Sequence, residues 1–222
     1  YMMGTVYVQV VLLESDGSID TQSENWTQTE IDLVKSEIAA GLAWWEDMFA
    51  LEYPSLATTM PLDFQIDFTY ADSPLATGYE PITRSHNDDD LWMNEFLDEV
   101  GYLGVSGYET YQDFSYYADD LRREQGTDWA MIVFVVDSSA DTDGMFTDGY
   151  FGYADLGGPR VVMTYDNDGW GIDDMQMVMA HETGHTFFAL DEYSGASDYT
   201  ETSGYYNTQN LNAIDGNPDP SS

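Results

Sequence analysis

The chain has 222 residues, 43% hydrophobic and 15% aromatic, which suits one good-sized domain and excludes a disordered tail. Its 42 acidic residues face 5 cations, Lys35, Arg84, Arg122, Arg123 and Arg160, so a formal charge of −37 repels nucleic acid and leaves no basic patch for an anionic membrane. With no cysteine, disulfides, thiolate nucleophiles and Cys-ligated metals are excluded too.

Residues 5–13 (TVYVQVVLL) form a near-continuous apolar, β-branched run, the pattern of a strand covered on both faces. After the turn Ser15-Asp16-Gly17-Ser18, Thr27 and Glu30 stand at capping-box spacing. Ile31, Val34, Ile38, Leu42, Trp45 and Phe49 then recur at steps of three and four, predicting a long amphipathic helix that ends near Pro54. Residues 62–70 alternate apolar and polar, as a strand with one wetter face does. Asp88, Asp89 and Asp90 suit the first turn of a helix whose Trp92, Phe96 and Val100 share a face and which Gly101 can end. A second helix fits 109–125 through Phe114, Tyr117 and Leu121. Residues 129–136 (WAMIVFVV) and 160–165 (RVVMTY) read as central strands, and the Gly- and Asp-rich stretch 137–158 between them as a long functional loop or edge hairpin. A last helix is expected over 173–190, capped by Asp173 or Asp174, with polar, irregular chain after about 194. The aromatic surplus, including Trp44, Trp45 and Trp170, is read as packing rather than as a binding platform.

The last predicted helix carries His181-Glu182-Thr183-Gly184-His185. Residues at i and i+4 lie on one helical face a turn apart, so two imidazoles converge on one ion while the glutamate between them reaches a water on that ion. Zinc favours nitrogen donors in tetrahedral geometry and brings a bound water to a pKa of about 7. In that arrangement Glu182 is a general base. The third histidine, His86, sits in a polar stretch and is expected in solvent.

Residues 181–191 (HETGHTFFALD) resemble the zincin metallopeptidases, and Asp191 matches the position of the third zinc ligand in metzincins. The segment through Asp191-Glu192-Tyr193 is similar to bacterial IgA-peptidase-type metallopeptidases. The resemblance implies an α/β fold of zincin-like type: a mixed sheet, a long backing helix and an active-site helix. It also implies zinc on His181, His185 and Asp191, with Tyr193 helping to hold the oxyanion. Residues 150–156 would be the edge strand that binds substrate backbone, the other reading being an ordinary hairpin. Two features depart from the pattern: Phe188 replaces a turn-making Gly, and no Met follows Met179.

An unbroken helix would return Glu192 to the histidine face, but about 10 Å beyond His185 along the axis, too far for a ligand. The chain must therefore reverse between Thr186 and Asp191; Asp191 is the favoured ligand and Glu192 the second. Two acidic loops, Asp141-Thr142-Asp143-Gly144 with Asp148 and Asp166-Asn167-Asp168-Gly169 with Asp173, offer calcium the oxygen donors it takes, but neither has the Glu of an EF-hand at its twelfth position and solvated turns are the favoured reading.

The sequence thus predicts a catalytic domain over 1–193, followed by 194–222 as the start of a missing lower subdomain. The expected activity is that of an exported zinc peptidase, an endopeptidase on protein or peptide substrates, with no nucleic-acid partner and no membrane insertion. A salty habitat would screen the charge, since the Debye length falls from about 10 Å at 0.1 M salt to about 3 Å at 1 M; the other reading is that the acids only keep the protein soluble. The competing reading is a surface or assembly protein that keeps the scaffold without turnover, self-associating or pairing with the missing C-terminal part.

Overall fold

The computed structural model describes residues 3–191 and 201–210. Strand β1 (Gly4–Ser15) leads into α1 (Gln28–Glu52), the one-turn α2 (Pro54–Ala57), β2 (Leu62–Phe68), the one-turn α3 (Thr69–Asp72) and β3 (Ser73–Thr77). Then follow α4 (Asp90–Glu99), α5 (Thr110–Gln125), β4 (Trp129–Val136), β5 (Gly152–Ala154), β6 (Arg160–Thr164) and α6 (Met175–Thr186). A short antiparallel ribbon, β7 (Thr202–Ser203) with β8 (Thr208–Gln209), lies in a stretch expected to be irregular.

The sheet has six strands in the order β2-β1-β4-β6-β5, with β3 continuing beyond β2 along β1. Every pairing is parallel except β5 with β6. β1 has partners on both sides, with Val6 opposite Phe64 on one and Trp129 on the other. That central place explains why its sequence is apolar almost throughout: Val8, Val10 and Leu12 face one layer while Val11 and Leu13 face the other. The fold is therefore mixed α/β with helices on both faces of a mostly parallel sheet.

On one face, α1 and α6 pack Val34, Ile38, Leu42, Val178 and Met179 against Val8, Val133 and Val161. α1 is fixed at its start by a complete capping box, with Thr27 accepting from the Glu30 amide and Glu30 from the Thr27 amide. Where α1 meets α6, a Cβ at Gly41 would stand 2.5 Å from the Gln176 carbonyl oxygen, so only glycine lets the two helices approach this closely. Trp45 Nε1 donates to the Ala180 carbonyl at 2.8 Å, pinning α6 one residue before His181. On the other face, α4 and α5 enclose an aromatic cluster of Trp92, Phe96, Phe114 and Phe134. Two tryptophans expected in the packing are instead exposed, Trp44 at 48% and Trp170 at 57%.

The sequence expectation missed one strand and overran the last helix. Strand β3 was hidden because a one-turn helix interrupts the strand pattern and Pro74 breaks what remains. The last helix stops at Thr186 rather than 190, because the chain reverses there.

Candidate metal centre

α6 enters its site through a buried row, Met175, Val178 and Met179, which fixes the opposite face outward. On that outer face the His181 and His185 rings meet edge to face, with Nε2 atoms 3.1 Å apart. The helix then ends in a tight reversal. Phe187 and Ala189 amides both donate to the Gly184 carbonyl at 3.0 Å, the Phe188 amide donates to His185 O at 2.9 Å, and Phe188 adopts φ 71°. A left-handed turn is thus made by a phenylalanine, whose ring lies against Gly157.

The reversal carries Asp191 back over the helix face. Its Oδ1 stands 3.0 Å from His181 Nε2 and 3.2 Å from His185 Nε2. The Asp191 backbone is held in turn by Asn210, whose Nδ2 donates to its carbonyl at 3.0 Å, and Ser203 Oγ donates to the Phe188 carbonyl. Ser203 and Asn210 lie in the polar stretch where sequence reading found no signal, since their part is played through backbone carbonyls. Glu192 and Tyr193 lie outside the described residues.

The donor set fits zinc. Bonds of about 2.0–2.1 Å in tetrahedral geometry separate ligand atoms by roughly 3.3 Å, and the three spacings here are 3.0, 3.1 and 3.2 Å. His185 Nδ1 lies 2.8 Å from the Ala189 carbonyl. A carbonyl only accepts, so Nδ1 carries the hydrogen and Nε2 presents its lone pair to the shared centre. Burial, and then the neighbouring His185, hold His181 below the ordinary imidazole range, with Asp191 pulling the other way.

Glu182 is 5% exposed; one of its carboxylate oxygens lies within 4.8 Å of ring nitrogens of His181 and His185, and its Oε2 has no hydrogen-bond partner among the described residues. Burial, with the Asp191 charge adding to it, pushes its carboxyl up to about 8. Strand β5 passes directly over this carboxyl: a Cβ at Gly152 would lie 3.1 Å from Glu182 Oε1 and 3.1 Å from Val178 Cγ1. Among the described residues β5 pairs with β6 alone, so its outer edge is open to a further strand.

The remaining sequence candidates lie elsewhere. His86, expected in solvent, is partly buried, its Nδ1 2.6 Å from Asp148 Oδ2 and its ring 3.8 Å from that of Tyr150. In the acidic loops, Asp141 Oδ1 accepts from the Asp143 and Gly144 amides, Asp143 Oδ1 from Met145, and Asp148 from Ser85 and the His86 amide, so these carboxylates close turns or tie loops together. No helix among the described residues is long and apolar enough to cross a membrane. Compared with family models, curated proteins and solved structures, the chain gives no match.

Proposed function

We propose that this chain is a zinc-dependent peptidase with a zincin-like fold, hydrolysing internal peptide bonds of protein or peptide substrates. The observation that carries the reading is the spacing of the His181, His185 and Asp191 donor atoms beside a buried glutamate whose Oε2 has no hydrogen-bond partner among the described residues.

Zinc held by that triad supplies Lewis-acid polarisation of the scissile carbonyl and a more acidic water. The chain's own groups do the rest. His185, oriented by the Ala189 carbonyl, and Asp191, oriented through Asn210, keep the three donors converged. Glu182 takes a proton from the attacking water and passes it to the departing amine. Burial holds that carboxyl above the ordinary carboxylate range, and a zinc ion held by the triad would supply the positive charge that favours its ionised, basic form. The open edge of β5 aligns the substrate backbone by strand addition, and its passage over Glu182 brings that backbone to the base. The acid surplus suits an exported protein working in a cation-rich or saline medium.

Zinc stoichiometry together with hydrolysis of an unstructured protein substrate tests the reading. One zinc per chain and cleavage that Glu182→Gln removes while the zinc stays is the expected result. Zinc without cleavage across pH and salt would instead identify a scaffold that keeps the metal and has no turnover.

A further inference from the structure

Just before β5 the Phe151 carbonyl accepts from the Thr164 amide at 2.8 Å, and just after it the Asp155 amide donates to the Arg160 carbonyl at 3.0 Å, with Tyr153 opposite Val162 between them. Antiparallel strands bond at every second residue, so 151, 153 and 155 turn their main-chain groups towards β6. The amides and carbonyls of Gly152 and Ala154 therefore face the open edge. Side chains alternate too: Gly152 overlies Glu182 and Val178, while the Tyr153 ring packs in the opposite layer with α4 and α5.

In that layer the Tyr153 hydroxyl donates to Asp89 Oδ2 at 3.0 Å, immediately before α4. Burial, with the Asp89 charge adding to it, holds the phenol above its ordinary range, so the hydroxyl keeps its proton and remains the donor. Asp89 is flanked by a fixed cation. Arg160 Nη1 stands 4.0 Å from its Oδ2 and donates to Met93 Sδ at 3.0 Å, while Nε and Nη2 hold both oxygens of Asp155 at 2.8 and 3.0 Å. The guanidinium also lies over the Phe114 ring at 5.3 Å. Tyr153 carries the one polar side chain of β5, so its bond to Asp89 is what ties the strand's side chains to the helix layer.

We propose that Tyr153, through its bond to Asp89, is a positioning residue for the substrate: it sets the level at which the outward groups of Gly152 and Ala154 receive a peptide main chain beside Glu182. The inference rests on the peptidase reading and deepens it. A strand added antiparallel to β5 exchanges two hydrogen bonds with each outward residue, so three consecutive substrate residues are gripped through main chain alone. The substrate class that follows is an extended, unpaired peptide segment, because a helical one spends the same amides and carbonyls on itself. Tyr153 lies between the two outward residues, so a shift of its backbone moves both.

The test uses the full chain loaded with zinc, a fluorogenic unstructured peptide as substrate, and two inhibitors. Acetohydroxamate reaches the metal alone, whereas a tripeptide hydroxamate is long enough to lie along β5. Tyr153→Phe should raise KM for the peptide and weaken the tripeptide hydroxamate by roughly three- to tenfold, the worth of about one hydrogen bond. Its kcat and its affinity for acetohydroxamate should stay within about twofold of wild type, as for loss of binding shared by ground and transition states. A purely structural defect does the opposite, lowering kcat as folded enzyme is lost while KM holds. Asp89→Asn, whose amide oxygen still accepts from the hydroxyl, should stay within about twofold of wild type in every measurement. An unchanged KM in Tyr153→Phe, or an Asp89→Asn as impaired as Tyr153→Phe, would overturn the proposal. A wild type that cleaves no peptide and binds the tripeptide hydroxamate no more tightly than acetohydroxamate would instead sink the peptidase reading, and this inference with it.

Discussion

At the end of α6 the facing donors come from eleven consecutive residues, 181–191, whereas at the carboxyl edge of the sheet Glu24, Glu80 and Asp137 arrive on three loops far apart in the chain. The first set mixes imidazole nitrogen with one carboxylate and lies partly open to solvent; the second is oxygen alone and almost fully buried. Both leave a buried carboxylate oxygen without a donor among the described residues, Glu182 Oε2 at one end and Asp137 Oδ2 at the other. The contrast teaches how a strongly acidic chain places its few expensive groups. A helix concentrates converging donors through its own periodicity, while a parallel sheet gathers buried carboxylates only when its strand ends are assembled.

The largest effect expected at the helix end concerns the third ligand. Asp191→Ala should weaken zinc by about a hundredfold or more, given that loss of a mere supporting partner of a ligand typically costs 10–100-fold. Glu192→Ala should leave zinc affinity unchanged. Competition with a chromophoric chelator measures both, and the reverse outcome would move the ligand to Glu192. Next in size is Gly152→Ala, whose methyl would press on Glu182 Oε1 and Val178 at 3.1 Å. Zinc should still bind while peptide hydrolysis falls by about tenfold, as misplacing a catalytic group by a fraction of an ångström does. Unchanged turnover would show that β5 does not set the position of the base.

These two variants also mark where the sequence could be read and where it could not. The long helix, the two central strands and the histidine pair were legible because periodicity and an i, i+4 spacing are local properties. The need for a reversal before Asp191 was legible as well, from helix rise alone. Its execution was not, because Phe188 takes a left-handed φ only with its ring against Gly157 and its carbonyl tied to Ser203, contacts made by distant residues. Gly152 over Glu182, Asn210 beneath Asp191 and the carboxylate trio share that character: each is an ordinary loop or strand residue until the tertiary fold supplies its neighbour.

A smaller effect joins the two ends through pH. An acid that holds its proton more tightly in the folded than in the unfolded chain stabilises the fold fully below the ordinary carboxylate range and loses that contribution as pH rises through its folded value. Glu182 with its value of about 8, and Glu24, Glu80 and Asp137 with raised values, all belong to this class. Acids held low by their partners, such as Asp20, Asp119 and Asp148, stay ionised in both states above about pH 5 and add no slope there. The metal-free chain should therefore melt several degrees lower at about pH 8 than at about pH 5, with roughly 2–4 °C for each kcal/mol lost. Zinc should flatten the part of that slope owed to Glu182, and a metal-free melting point that rises over the same interval would break the comparison at both ends.

The smallest effect lies in the reversal, and its sign follows from two opposed terms. At φ 71° a side chain with a Cβ costs about 1–2 kcal/mol that glycine avoids. Against this, the Phe188 ring is 45% exposed, so its contact with Gly157 and the neighbouring ribbon yields only part of the roughly 1.5–3 kcal/mol of a fully buried side chain. Glycine also adds about 0.5–1 kcal/mol of freedom to the unfolded chain. Phe188→Gly should thus come within about 1 kcal/mol of wild type. Phe188→Ala loses the ring and keeps the strained φ, so it should be less stable than Phe188→Gly by up to about 1 kcal/mol once the glycine entropy is set against the strain. Denaturant melts of the two variants side by side decide it. Equal or inverted stabilities would mean that residue 188 leaves the left-handed region when its ring is gone, and zinc affinity should then fall in both variants because Asp191 would no longer be returned to His181 and His185.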